Sequence, residues 1–310
     1  MYDALIIGGG PAGLAIAASA VRQDLSIAMI DSGEYRNAKA KHMHMMLGWD
    51  HQDPAVFRAK ARSDLQSKYP KFEYIQGKVD SVTKTADGHF EAVLADGKAL
   101  QGKKLGLATG VRDVTEKQAS GYDDCYGNGI IHCLFCHGYE ERGDRAGVLL
   151  GGMVKGPMAQ GVAQMAKKLA GAVTVYTNGE EFEYPGKSSK ITVDKREIER
   201  FDLVDGGPKV RVTFKDGSSV VEGFVASHPE VVPRSGFATQ LGLEMTPMGD
   251  VKVGMFGETN VRGCFAAGDA ATMMKSAVIA QQLGACAGVG IVKELLEDLD
   301  DVDEFLTIEA

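Results

Sequence analysis

The chain has 310 residues, of which 44% are hydrophobic, 25% are charged and 39 are glycine. Those values exclude a collagen-like repeat and an all-helical bundle, and they fit a globular α/β protein long enough for two domains. A formal net charge of −8 argues against nucleic acid or an anionic membrane as partner, because both need clustered Lys and Arg.

No apolar run is long enough to span a bilayer. Asp3 stands where a signal peptide would carry positive charge, and glycines interrupt the apolar start, so a cytosolic location is expected. Ala4–Ile7 reads as a buried parallel strand. It leads into Gly8-Gly9-Gly10-Pro11-Ala12-Gly13, then into a buried helix from Leu14 to Val21 and a second strand, Ser26–Ile30, ending at Asp31. This is a complete βαβ dinucleotide fingerprint. Gly8 permits the turn, Gly10 lets the backbone approach a pyrophosphate, Gly13 allows close helix packing, and Asp31 is placed to accept from ribose hydroxyls.

The loop after Asp31 carries Arg36, Asn37, His42 and His44 among methionines. A copper site there lacks a further soft-ligand cluster, and no metal is expected. Asp87-Gly88, Asp96-Gly97 and Asp216-Gly217 mark hairpins. Leu105–Gly110 is a strand ending in Ala108-Thr109-Gly110. Residues 111–129 read as a crossover.

His132-Cys133-Leu134-Phe135-Cys136-His137 follows. A Cys-x-x-Cys pair suits reversible oxidation, and either histidine is a candidate base or thiolate-stabilising cation. Three alternatives stand beside this reading: a zinc site short of ligands, a c-type haem attachment that would need export, and a structural pair. Cys264 and Cys286 read as buried small hydrophobes, and Cys125 as a loop thiol.

Arg145–Leu150 leads to a second glycine turn. Gly151 and Gly156 fit the fingerprint, but Met153 occupies the place of its second glycine. The next strand, Ala172–Tyr176, is followed by Glu180 and Glu181, which would repel a 2′-phosphate. A damaged nucleotide site is expected. A shifted register, or use of NADH, is the other reading. His228-Pro229 and Pro233 mark the return crossover. Gly263–Ala270 is a strand ending in Gly268-Asp269-Ala270, and a last helix is expected over 276–299.

With these motifs the chain resembles the low-molecular-weight thioredoxin reductase group along nearly its whole length. The resemblance implies an α/β fold of two Rossmann-like domains, a homodimer, and FAD. The FAD domain would be discontinuous, residues 1–114 and 224–310, around a central domain of 115–223. Gly8, Gly10, Pro11, Ala12, Gly13, Asp31, Ala108, Thr109, Gly110 and Gly268 would hold FAD. Asp269 would bind its ribityl chain, the helix start at Ser276-Ala277-Val278 would face the isoalloxazine, and Arg36, Asn37 and His44 would contact the cofactor. Cys136 would face the flavin and Cys133 the substrate. His137 replaces the acidic residue usual after the pair. In this the motif resembles fungal dithiol oxidases that close gliotoxin-type disulfides, which implies His132 as base, a small-molecule dithiol as substrate and dioxygen as acceptor. A nicotinamide-dependent disulfide reductase and a non-enzymatic flavin-binding redox sensor are the alternatives.

Overall fold

A computed structural model describes residues 1–300. It divides into two compact units. The first comprises Met1–Arg36, Ala55–Arg112 and the chain from Val232 onward; the second comprises Asn37–Pro54 and Asp113–Val231.

The first unit is built on a seven-stranded sheet. Strands Phe72–Gln76, Ile27–Asp31, Tyr2–Ile7 and Ala99–Leu107 lie side by side in parallel, and Cys264–Ala266 adds parallel to the last. Phe90–Leu94 and Val79–Lys84 extend the sheet antiparallel. The central strands are apolar along their length because helices cover both faces of such a sheet: every residue of Ile27–Asp31 is buried. Helix Pro11–Val21 packs on helix Ala277–Asp300 through small residues. A Cβ on Gly284 would stand 2.2 Å from the Ala12 carbonyl oxygen, and one on Gly288 2.6 Å from the Ser19 Cβ. The long helix starts where the sequence places it, with the Ser276 hydroxyl accepting from the Ile279 N–H at 3.3 Å.

The second unit holds a five-stranded parallel sheet ordered Ile191–Asp194, Ala172–Tyr176, Arg145–Leu149, Phe224–Ala226, Ile130–Ile131. An antiparallel sheet of Ile198–Leu203, Val210–Phe214 and Ser219–Glu222 accompanies it. The units divide differently from the sequence-based boundaries. Phe224–Ala226 belongs to the second unit, because it pairs with Ala146–Val148 and completes that sheet. The loop 37–54 also groups with the second unit. All three hairpin signals sit at turns between paired strands, with Gly88, Gly97 and Gly217 at positive φ.

Candidate active site

The first glycine turn has the geometry its residues imply. Gly8 has φ +110°, and a Cβ there would lie 2.3 Å from the Ala108 carbonyl oxygen; a Cβ on Gly13 would lie 1.8 Å from that of Gly8. Strand, turn and helix can approach this closely only without side chains. By contrast, a Cβ on Gly10 or Gly110 would meet nothing within 4 Å. The turn is therefore bare where a ligand would approach and tight where the protein packs on itself. Pro11 opens the helix, and no side chain caps its N-terminus. Its first amides are thus left for an anion, as a dinucleotide pyrophosphate requires.

Of the other predicted residues, Gly268 packs on the helix that this turn opens. A Cβ on Gly268 would stand 2.7 Å from the Ala12 Cβ, which seats Gly268–Ala270 on the first helix. Asp269 pairs with Arg36 at 3.1 Å, both side chains largely covered, and Lys275 Nζ donates to the Asp269 carbonyl at 2.7 Å. Ser235 donates to the Thr109 hydroxyl at 3.2 Å. Ala277 and Val278 form the first turn of the long helix.

Asp31 departs from expectation. Its carboxylate is only 2% exposed and lies over Gly9. It accepts from the Tyr35 hydroxyl, from Tyr74 Oη at 3.2 Å and from the Gly33 N–H at 3.1 Å. Most of its acceptor capacity is spent inside the protein, so it fixes the loop after the strand rather than standing open to a ribose. Burial, then the bond to Asp31, pushes the Tyr35 phenol well above its ordinary value. Sequence reading missed Tyr35 and Tyr74 because neither belongs to the fingerprint. Asn37 and His44, also expected at the cofactor, fall in the second unit.

In the second unit Cys133 and Cys136 form a disulfide, with Cα atoms 5.2 Å apart. The Cys136 and His137 N–H groups both donate to the Cys133 carbonyl, at 3.2 and 3.1 Å. The pair sits in an isolated turn and not at the start of a helix. No helix dipole therefore acts on its thiols. His132 stacks on Tyr126 at 6.0 Å and meets His228 edge-on at 5.8 Å. His137 lies 6.0 Å from His44, and its pKa is lowered by burial, then by His44, with Glu140 opposing and His42 adding a little. Phe135 between the two cysteines is 72% exposed. Cys125 ends the short helix Tyr122–Cys125 rather than lying in a loop, and burial pushes its thiol up to about 11. Cys264 is buried as expected, whereas Cys286 is partly exposed.

The second glycine turn is remodelled. The Gly151 N–H donates to the Val154 carbonyl at 3.2 Å, and Val154 returns a bond to Gly151 at 2.9 Å. The Met153 N–H is taken by the His228 carbonyl at 2.9 Å and the Lys155 N–H by Met153 at 3.0 Å. Helix Gly156–Leu169 starts only at the third glycine. A Cβ on Gly156 would meet nothing within 4 Å, whereas one on Gly152 would strike the His228 carbonyl oxygen at 2.4 Å. The Gly151, Met153, Val154 and Lys155 amides are thus bonded within the unit, and the 228–229 segment lies against the turn. Asn178 is likewise engaged, accepting from the Ile198 N–H at 2.8 Å.

A family model for pyridine nucleotide-disulphide oxidoreductases matches residues 2–284. The chain belongs to that family. Membership implies flavin binding, and the geometry of the first turn fits a dinucleotide. Thioredoxin reductase tcpT of Claviceps purpurea is 43% identical, covering 97% of this chain and 96% of its own. Thioredoxin reductase aclD of Aspergillus oryzae is 40% identical, over 96% and 98%. Among solved structures, an oxidoreductase from Agrobacterium tumefaciens superposes with a TM-score of 0.85 at 30% identity, covering 95% of this chain and 98% of that one. This family member is an oxidoreductase of the thioredoxin reductase-like kind with the two-unit α/β fold. Among its described residues no helix is long and apolar enough to cross a membrane.

Proposed function

We propose that this oxidoreductase is an FAD-dependent dithiol oxidase acting on a small molecule. The observation that carries the reading is the closed second glycine turn in a chain that keeps the Cys133–Cys136 disulfide. One side of the usual electron path, the nicotinamide side, has lost its phosphate cradle, and the thiol side has not.

A substrate thiolate attacks Cys133 Sγ, breaks the Cys133–Cys136 bond and forms a mixed disulfide. The second substrate thiol then displaces Cys133, and the substrate leaves as a cyclic disulfide. Two electrons now reside on the cysteine pair. Cys136 is assigned as the flavin-facing thiol. His132, one residue before the pair, takes a substrate proton in this scheme. FAD held at the first turn, with Asp269, Arg36 and the start of the long helix around it, would supply the two-electron relay to dioxygen, giving hydrogen peroxide. The sum is one dithiol and one dioxygen giving one disulfide and one peroxide. A homodimer is the proposed assembly.

Anaerobic titration tests this directly. Dithiothreitol or a reduced small-molecule dithiol should bleach the flavin, and NADPH or NADH should not; in air, peroxide should form in step with dithiol consumed. Cys136→Ser should abolish dithiol bleaching. Rapid bleaching by a nicotinamide would replace this reading with a disulfide reductase. No turnover with any dithiol would leave a redox sensor.

A further inference from the structure

Four of the seven histidines crowd together in the second unit. His44 and His51 meet edge to face at 4.4 Å, His42 lies 6.0 Å from His51, and His137 lies 6.0 Å from His44. The backbone builds this arrangement. The Met43 N–H donates to the Gln52 carbonyl at 2.8 Å and the His51 N–H to the Met43 carbonyl at 3.0 Å, clamping the ends of loop 43–52. Met43 and Met46 anchor the loop by burial, and the Trp49 N–H closes its tip on the Met46 carbonyl at 2.9 Å. His44 and His51 therefore face each other across the neck. His51 and Met45 hold φ values of +60° and +67°, a region that residues with side chains rarely occupy.

Asp50 completes the set. Its Oδ1 is 3.2 Å from His44 Nδ1, and its Oδ2 is 3.9 Å from His51 Nε2. One ligand atom from each of His44, Asp50 and His51 lies within 4.8 Å of the others. The Asp50 and His51 side chains are 61% and 59% exposed, so both are free of packing that would stop them turning toward an ion shared with His44, at the bond lengths of about 2.0–2.2 Å that zinc requires. A cation on the Nδ1 side of His44 leaves Nε2–H directed at Glu140 Oε1, 3.5 Å away. A metal-bound imidazole whose other N–H meets a carboxylate is the usual arrangement that fixes ring orientation and raises ligand basicity. Two imidazoles and one carboxylate suit a borderline ion, whereas calcium and magnesium favour oxygen-only sets.

We propose that His44, Asp50 and His51 form a binding site for a zinc-class divalent cation, with Glu140 orienting the His44 ring. The ion would tie loop 43–52 to the segment that follows the redox disulfide. The proposal does not depend on which substrate or electron acceptor the protein uses.

Tag-free full-length protein with the Cys133–Cys136 pair oxidised should be titrated with zinc(II), by calorimetry and against a chromophoric chelator. One equivalent is expected to bind. His51→Ala and Asp50→Asn should each weaken it about tenfold or more, Glu140→Gln should weaken it less, and a Cys133→Ser/Cys136→Ser variant should bind as the parent does. Cobalt(II) should give tetrahedral visible bands without thiolate charge transfer. Circular dichroism checks that each variant is folded, and Asp50→Asn, at an exposed side chain, serves if His51→Ala is not. Absence of stoichiometric binding overturns the site, as does binding that survives Asp50→Asn and His51→Ala or vanishes with the cysteines.

Discussion

A Cβ on Gly13 would stand 1.8 Å from the Gly8 carbonyl oxygen, whereas one on Gly10, at φ −75°, would meet nothing within 4 Å. Two glycines of one motif therefore serve different ends. Gly13→Ala forces the helix off the strand and should destabilise the protein by about 1–3 kcal/mol, an overpacking penalty. Gly10→Ala should melt like the parent when both are stripped of cofactor, yet retain far less flavin. Melting curves and the visible spectrum of purified protein separate the two. A Gly10→Ala variant that stays as yellow as the parent would show that the turn does not hold a dinucleotide. At this scale the sequence was legible wherever a residue's task is steric and local, as with Gly8 and Gly13. It was not legible for Asp31, whose partner Tyr74 reaches it only once the neighbouring strand Phe72–Gln76 has paired, and whose partner Tyr35 belongs to no fingerprint.

The two glycine turns differ as elements and not by one side chain. In the first, the helix begins at Pro11, directly after Gly10. In the second, Gly151 and Val154 close on each other, the Met153 amide is bound to His228, and the helix waits until Gly156. Restoring the missing glycine leaves those backbone bonds in place. Met153→Gly should therefore gain no nicotinamide-dependent flavin reduction under anaerobic conditions. Stopped-flow absorbance with NADPH and NADH checks this, and bleaching in the variant alone would place the whole defect in the Met153 side chain. The sequence showed that the second glycine was lost. Only the fold revealed that the 228–229 segment had come to lie on the turn. The Cys-x-x-Cys pair gives a similar lesson: spacing predicts the disulfide, but its seating in an isolated turn, without a helix dipole, is a tertiary outcome.

For the molecule as a whole, Glu222 links stability to pH. It is fully buried in the second unit, accepts from the Tyr176 hydroxyl, and has Arg145 Nε 3.5 Å away. Burial raises its pKa, with Tyr176 and Arg145 opposing. The unfolded chain keeps an ordinary carboxyl value near 4.3, so the protonated form is favoured by folding. That contribution is complete below the ordinary value and is lost as pH rises through the folded one. The melting temperature of the parent should thus fall more steeply above the carboxyl range than that of Glu222→Gln; equal slopes in the two would remove Glu222 from the account. The sequence by itself determined the α/β class, the family likeness and the spacing of the Cys133–Cys136 pair, because each is written in short-range spacing and local backbone geometry. The tertiary structure alone decided the boundary at Val231, the inward turn of Asp31 and the gathering of His44, Asp50, His51 and His137. Those depend on strand pairing, loop clamps and burial, which neither a hydrophobic period nor a motif spacing records.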